Sequence, residues 1–349
     1  MIRYAIVGCG HIANKHVEAI RATEGAILTA VCDRDPQRLQ PFSALGIHSF
    51  TDMESMLTAT PIDVVNICTP SGLHAPLAIE AARAGKHVVL EKPMALSLRD
   101  ADAIIQTCKQ HHVQLAVVHP NRFRPVMQAL RKRVDAGAFG RFSHANATVR
   151  WNRNQAYFDQ APWRGTQAMD GGVLMNQAIH NLDLLLWFMG DVDEVCSYQA
   201  TRLRDIETED VSVSILRFKS GALGVIEAAV TLYPRNLEES LSLFGETGTA
   251  VVGGTTANWI RTWQFADQSE ADSEAVIQRT AEDPYGQPGH YAIIQDMTDA
   301  LRQNRPPAVT GEDGRKALEL VLACGRAAKE GKPVSMDAFR DEYREGANR

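Results

Sequence analysis

The sequence predicts a two-part α/β chain: an N-terminal Rossmann half with a doubly wound parallel sheet, then an α+β half built on a large, mainly antiparallel open sheet. Three observations carry this. Ile2–Val7 is a short apolar run that stops at Gly8-Cys9-Gly10-His11-Ile12-Ala13, after which Ala13, His16, Val17 and Ile20 recur at helical spacing. Apolar runs of strand length then alternate with helical segments up to about residue 121. From about Phe142 the alternation ends, and strand-like stretches follow one another with turn signals between them.

At 349 residues the chain exceeds what one small core organises, and we expect domains at 1–121 and 122–349. A content of 45% hydrophobic and 22% charged residues belongs to an ordinary globular protein. The net charge of −6, with no long basic run, argues against nucleic acid or an anionic membrane as the partner. The six cysteines are scattered without a Cys-x-x-Cys pair, no apolar run reaches membrane-spanning length, and the chain enters a strand at Ile2 without a signal peptide. The expectation is a cytoplasmic protein with reduced thiols.

Taken in order, the first strand, glycine turn and helix fit G-x-G-x-x-G/A. Gly8 makes the turn, Gly10 lets backbone approach a pyrophosphate, and Ala13 stands where helix meets strand. His11 and Ile12 open the helix whose free N–H groups would hold that anion. A second strand, Ile27–Cys32, ends in Asp33, placed to hydrogen-bond the ribose hydroxyls and to repel a 2′-phosphate, which favours NAD over NADP. Arg34 beside it leaves the other cofactor open, and Asp33 could instead cap the helix entered at Asp35-Pro36. Asp63–Cys68 ends in Thr69-Pro70-Ser71, with a helix from about His74 to Ala84. His87–Leu90 ends in Glu91-Lys92-Pro93, and Ser97 with Asp100 opens a further helix. Val113–Val118 ends in His119-Pro120-Asn121. In such sheets ligands bind beyond the carboxyl ends of the strands, so Thr69, Pro70, His74, Glu91, Lys92 and Asn121 are candidate cofactor contacts. Lys92 could be a plain surface lysine, but a proline after it and a carboxylate before it suit a positioned cation.

In the second half, strands are expected at 142–151, 194–203, 211–218, 223–233, 241–244, 249–252 and 259–265. A helix over Gly172–Met189 is apolar except for a polar notch at Asn176 and His180, four residues apart and so on one face. Alone, that notch suits a core histidine with a local partner. The polar stretch Asp267–Asp283 reads as a mobile excursion, and helices at about 289–303 and 312–331 close the fold. With no second helical layer evident before residue 288, we expect another subunit to cover one sheet face, in a dimer or tetramer.

Gly8-Cys9-Gly10, Glu91-Lys92-Pro93, and a glycine pair leading into a helix with His180 and Asp183 together resemble the Gfo/Idh/MocA oxidoreductase family over essentially the whole chain. Tyr157-Phe158-Asp159, Trp163-Arg164-Gly165-Thr166, Asp170-Gly171-Gly172, Met175-Asn176-Gln177 and Tyr233-Pro234-Arg235-Asn236 are similar to its WlbA-type branch. That resemblance implies NAD-dependent oxidation of the C3 hydroxyl of a UDP-N-acetylglucosaminuronate, a tetramer, and 2-oxoglutarate as the acceptor that recycles NADH. Many family members have aspartate four residues before the histidine; here Asn176 can orient His180 but supplies no charge. Lys92 and His180 are the expected catalytic pair, His180 as base and Lys92 as the polarising cation, or with those roles exchanged. Arg164, Thr166, Asn176, Gln177, Arg235 and Asn236 are candidates for the uronate carboxylate and the diphosphate. Arg164 fits an exposed surface arginine equally well, and Asp170 and Trp163 read as structural. A free-sugar or inositol dehydrogenase, and a non-catalytic NAD-binding module, are the alternative readings. His74, His119 and His180 have no cysteine or histidine ligand pattern around them, which argues against metal catalysis.

Overall fold

The computed structural model describes residues 1–347. The chain runs through β1 (Ile2–Val7), α1 (His11–Ala22), β2 (Ala26–Cys32), α2 (Pro36–Ser43), β3 (His48–Phe50), α3 (Met53–Ala59), β4 (Val64–Ile67), α4 (His74–Arg83), β5 (His87–Leu90), α5 (Leu98–Gln110) and β6 (Leu115–Val117). It continues through α6 (Pro125–Asp135), β7 (Phe142–Arg150), α7 (Gln155–Phe158), a π-helical segment (Val173–Ala178) and α8 (Ile179–Met189). Then come β8 (Val192–Ala200), β9 (Val211–Phe218), β10 (Leu223–Ala229), β11 (Glu238–Gly245), β12 (Gly248–Gly253) and β13 (Trp259–Phe265). The last elements are α9 (Glu270–Glu282), α10 (Gly289–Gln303), α11 (Gly311–Glu330), β14 (Val334–Ser335) and α12 (Met336–Ala347).

The chain divides into two compact units, one of Met1–Pro120 with Gln287–Arg315 and one of Asn121–Gly286 with the segment from Lys316 on. The first holds a six-stranded sheet in the order β3-β2-β1-β4-β5-β6, parallel at every pairing. Its central strands are apolar because both faces are covered: all four residues of β4 are buried. One of them, Asn66, donates from Nδ2 to His16 Nδ1 at 2.9 Å, while its Oδ1 is buried without a partner. Placing all of 122–349 in the second unit does not describe Gln287–Arg315, and the reason is packing. Tyr4 of β1 is fully buried, with its hydroxyl 2.8 Å from Thr298 Oγ1 on α10. Ile294, Met297 and Ala300, all at 0% exposure, bury the apolar stripe of α10 in the same core.

The second unit holds an eight-stranded sheet in the order β13-β12-β11-β7-β10-β9-β8-β14. Its pairings are antiparallel except β7 with β10. Strand β9 has the burial alternation of a sheet with one face on a core. Helix α8 lies under β7: Asn181 Nδ2 donates to the Thr148 carbonyl at 3.3 Å.

Two local expectations change. Asp267–Asp283 is not an open excursion but contains α9, which packs on β13. Ser269 and Asp272 form a reciprocal capping box that starts it. The helix expected over Gly172–Met189 does not begin as an α-helix; Val173–Ala178 is π-helical and passes into α8 at Ile179.

Candidate active site

In the first unit the candidate residues gather at the carboxyl ends of the strands. Gly8 has φ +92°, and a Cβ there would stand 2.9 Å from the Cys68 backbone and the Thr69 Cγ2, so only glycine fits. Gly10 is the N-cap of α1 with no side-chain cap, leaving the first N–H groups of that helix for an anion. Ala13 is fully buried where helix meets sheet. Asp33 is tied to the glycine loop: one carboxylate oxygen accepts from Cys9 N at 2.8 Å and the other from Asp35 N at 2.9 Å. The helix cap at α2 belongs to Asp35, which accepts from Gln37 N at 3.0 Å. Arg34 and His11 are exposed, and Ile12 and Pro70 are half-buried. Thr69 Oγ1 is buried without a hydrogen-bond partner at the end of β4. The glycine turn, the open helix end, the fixed carboxylate and the orphan hydroxyl suit a dinucleotide.

The Glu91-Lys92-Pro93 turn is held from several directions. Glu91 Oε1 accepts from His16 Nε2 at 2.8 Å and from His290 Nε2 of α10 at 3.1 Å, while Glu91 Oε2 accepts from Lys92 N at 3.2 Å. Burial alone would raise the Glu91 pKa, but the two imidazoles hold it well below the usual carboxylate range. His16 is itself pulled down by burial, with Glu91 opposing. His74 braces the turn from the other side, Nδ1 lying 2.7 Å from the Pro93 carbonyl and Nε2 2.9 Å from the Thr69 carbonyl. Burial lowers its pKa too. The backbone that carries Lys92 is therefore fixed by three histidines and a carboxylate, of which the sequence flagged only Glu91 and His74.

In the second unit the helix that follows Gly172 carries the polar groups. From Gly172 to Leu185 every residue is buried except Asn176, Gln177 and His180, so these three form the open strip of an otherwise enclosed segment. Asn176 Nδ2 donates to Asp170 Oδ1, and Asp170 Oδ2 accepts from Gly165 N at 2.6 Å, so Asp170 anchors the approach to the helix. Glu209 holds the helix start by accepting from Leu174 N at 3.0 Å, and burial pushes its pKa up to about 7. Asp183 makes a two-point ion pair with Arg122 at 2.6 and 2.8 Å, both side chains buried. Asn121, expected at the cofactor, is buried and donates from Nδ2 to Glu239 Oε1 at 3.2 Å. Burial pushes the Glu239 pKa up to about 7.

The remaining candidates divide. Arg164 stacks on Tyr157 and Trp163, its Cζ 4.2 and 4.7 Å from the ring centres. The Thr166 hydroxyl donates to the Trp163 carbonyl at 2.8 Å and closes that turn. Asn236 Oδ1 accepts from Asn152 N at 3.0 Å and from Arg153 at 3.2 Å. Arg235 is exposed. Arg153, Tyr157 and Glu209 were not candidates; Arg153 follows β7 in a stretch with no periodicity to mark it.

Comparison with known proteins accounts for both units. Residues 2–119 match the Gfo/Idh/MocA oxidoreductase family, NAD-binding Rossmann fold, and residues 127–251 match the Gfo/Idh/MocA C-terminal domain. The WlbA dehydrogenase from Bordetella pertussis, solved in complex with NADH and UDP-GlcNAcA, is 39% identical with a TM-score of 0.90, over 96% of this chain and 97% of that one. The WlbA dehydrogenase from Chromobacterium violaceum, solved with the same two ligands, is 38% identical with a TM-score of 0.90, over 96% of this chain and 95% of that one. A myo-inositol 2-dehydrogenase from Thermotoga maritima is 28% identical over 348 residues, 96% of this chain and 99% of the relative.

Proposed function

The chain belongs to the Gfo/Idh/MocA family of NAD-binding oxidoreductases, and from that premise we propose that it oxidises the C3 hydroxyl of a UDP-N-acetylglucosaminuronate-type sugar nucleotide to the 3-keto sugar. The observation that carries this reading is the near full-length likeness to two WlbA dehydrogenases that hold NADH and UDP-GlcNAcA, at 39% and 38% identity against 28% for the inositol dehydrogenase.

NAD, held by Gly8, Gly10, Asp33 and Thr69, supplies the hydride acceptor when bound. The proton is the work of this chain. His180, on the open strip of its helix, takes it from the hydroxyl, and the Lys92 ammonium steadies the alkoxide as charge develops. Asn176, fixed by Asp170, can orient His180 but supplies no charge of its own. The braced Glu91-Lys92-Pro93 turn keeps the cation in place. Arg164 and Gln177 are proposed to meet the substrate anions, and 2-oxoglutarate to reoxidise NADH between turnovers.

Full-length similarity to a myo-inositol 2-dehydrogenase and to a D-apiose dehydrogenase supports a second reading, oxidation of a free sugar or polyol. The two separate in one assay of NADH formation. UDP-GlcNAcA should reduce NAD where myo-inositol, apiose and free glucuronate do not. Turnover of a free polyol with none of the sugar nucleotide would replace the proposal with the second reading.

A further inference from the structure

Arg153 has no role in the chemistry above, yet its surroundings are unusual for an arginine. Its Cζ lies 4.9 Å from the centre of the Trp151 ring and 5.3 Å from that of Tyr157. Arg164 lies 4.2 Å from the same Tyr157 ring, so two guanidinium groups share one aromatic side chain. Burial pulls the Arg153 pKa down from its ordinary value; Tyr157 opposes it, and the like charge of Arg164 adds a smaller downward push. While Arg124 and Arg204 bond backbone carbonyls, some arginines of this unit meet carboxylates, as Arg122 meets Asp183 and Arg150 meets Glu227 and Glu238. Arg153 and Arg164 do not: no carboxylate among the described residues lies within 4.0 Å of either. The hydrogen-bond acceptors of Arg153 are all neutral, the Asn152 carbonyl at 2.7 Å, Asn236 Oδ1 at 3.2 Å and Gln177 Oε1 at 3.2 Å. Arg164 Nε is buried with no acceptor at all.

Two half-buried guanidinium groups on one ring, one of them with a spare buried donor, are costly unless an anion joins them. We propose that Arg153 and Arg164 form a two-guanidinium seat for an oxyanion of the substrate, with Asn236 and Gln177 holding Arg153 in position. Delocalised oxyanions, a carboxylate or a diphosphate, match the planar donor forks of arginine. Gln177 links the seat to the reaction centre: it holds Arg153 with its oxygen, donates to Tyr157 Oη at 3.5 Å, and stands three residues before His180 on the same open strip. The seat thus lies within one helical turn of the proposed base. The identity of the anion's parent molecule rests on the dehydrogenase reading above; the seat itself does not.

The test is Arg153→Met and Arg164→Met, each followed by steady-state kinetics and by calorimetric titration of the NADH-loaded protein. KM for UDP-GlcNAcA should rise about ten- to hundredfold in each variant, more than kcat falls, which is the scale of a lost charge-assisted contact. If the carboxylate is seated, UDP-GlcNAc, which lacks it, binds wild type and variants alike. If the diphosphate is seated, both nucleotides weaken together. Arg153→Lys, which keeps the charge but not the fork, should recover only part of the loss. A KM within twofold of wild type in both variants, or a fall in melting temperature and kcat with KM unchanged, overturns the seat and leaves the function standing. If the wild type oxidises no sugar nucleotide, the dehydrogenase reading fails, and titration alone decides the seat. UDP-GlcNAcA binding that is lost in the variants keeps it; equal binding, or none to the wild type, removes it.

Discussion

Lys92 and His180 are the residues on which turnover should depend most. Lys92→Met and His180→Phe should each lower kcat roughly a hundredfold or more, the usual scale of a lost acid-base group, while NADH binding, read by fluorescence titration, stays near that of the wild type. Near-normal turnover in both variants would remove the proposed proton chemistry. Glu239 tests the electrostatics of the second unit. Its folded pKa of about 7 stands above the ordinary 4.5, because burial outweighs Arg124 and the Asn121 hydrogen bond. The folded state therefore holds that proton more tightly, and stability falls as pH rises from about 4.5 to 7, with the full penalty above 7. Glu239→Gln should accordingly gain in melting temperature relative to wild type between pH 5 and pH 8; a constant difference across that range would contradict the assignment. The polar residues most legible in sequence were those set against a regular background. Asn176 and His180 interrupt an apolar helix, and Asp33 and Lys92 end apolar strands, whereas Arg153 and Glu209 stand in irregular chain where only the folded structure shows what they face.

The π-helical segment is the element that sets the open strip. Its wider turn places Asn176 and Gln177 just ahead of the α-helical His180, and its start depends on Gly172 and Glu209. Gly172 has φ +90°, and a Cβ there would stand 2.1 Å from Glu209 Oε2, the carboxylate that secures Leu174. Gly172→Ala should therefore cost about 2 kcal/mol or more in stability and raise the substrate KM, read by thermal melting and kinetics. An unchanged melting temperature would show that Glu209 moves aside freely. Hydrophobic periodicity revealed that a helix lies here but not its π-helical beginning, because hydrogen-bond register leaves no mark on which positions are apolar. Helix α9 was legible in principle: Ser269 and Asp272 have capping-box spacing, but the polar composition of the stretch obscured it.

For the molecule as a whole, the architecture followed from grammar: strand and helix in alternation give a doubly wound sheet, and successive strands give an antiparallel one. The return of Gln287–Arg315 to the first unit did not follow, since an amphipathic helix shows that it has an apolar face but not which core accepts it. The outer face of the second sheet is also unfinished in a single chain. Tyr198 pairs with Val213, and Ile215 with Val225, and these four side chains are 40% to 77% exposed. A contiguous apolar patch of this kind calls for a partner, and a second copy of the chain is the proposed one. Light scattering should give a mass of two or four chains, and Ile215→Asp should shift it downwards; a monomeric wild type would contradict the proposal. The central claim, that a hydride leaves C3 of a UDP-N-acetylglucosaminuronate, is tested most directly with substrate carrying deuterium at C3. The account expects NADH isolated after turnover to carry the deuterium, with a ketone at C3 of the sugar. Deuterium retained in the sugar while NADH forms would contradict it.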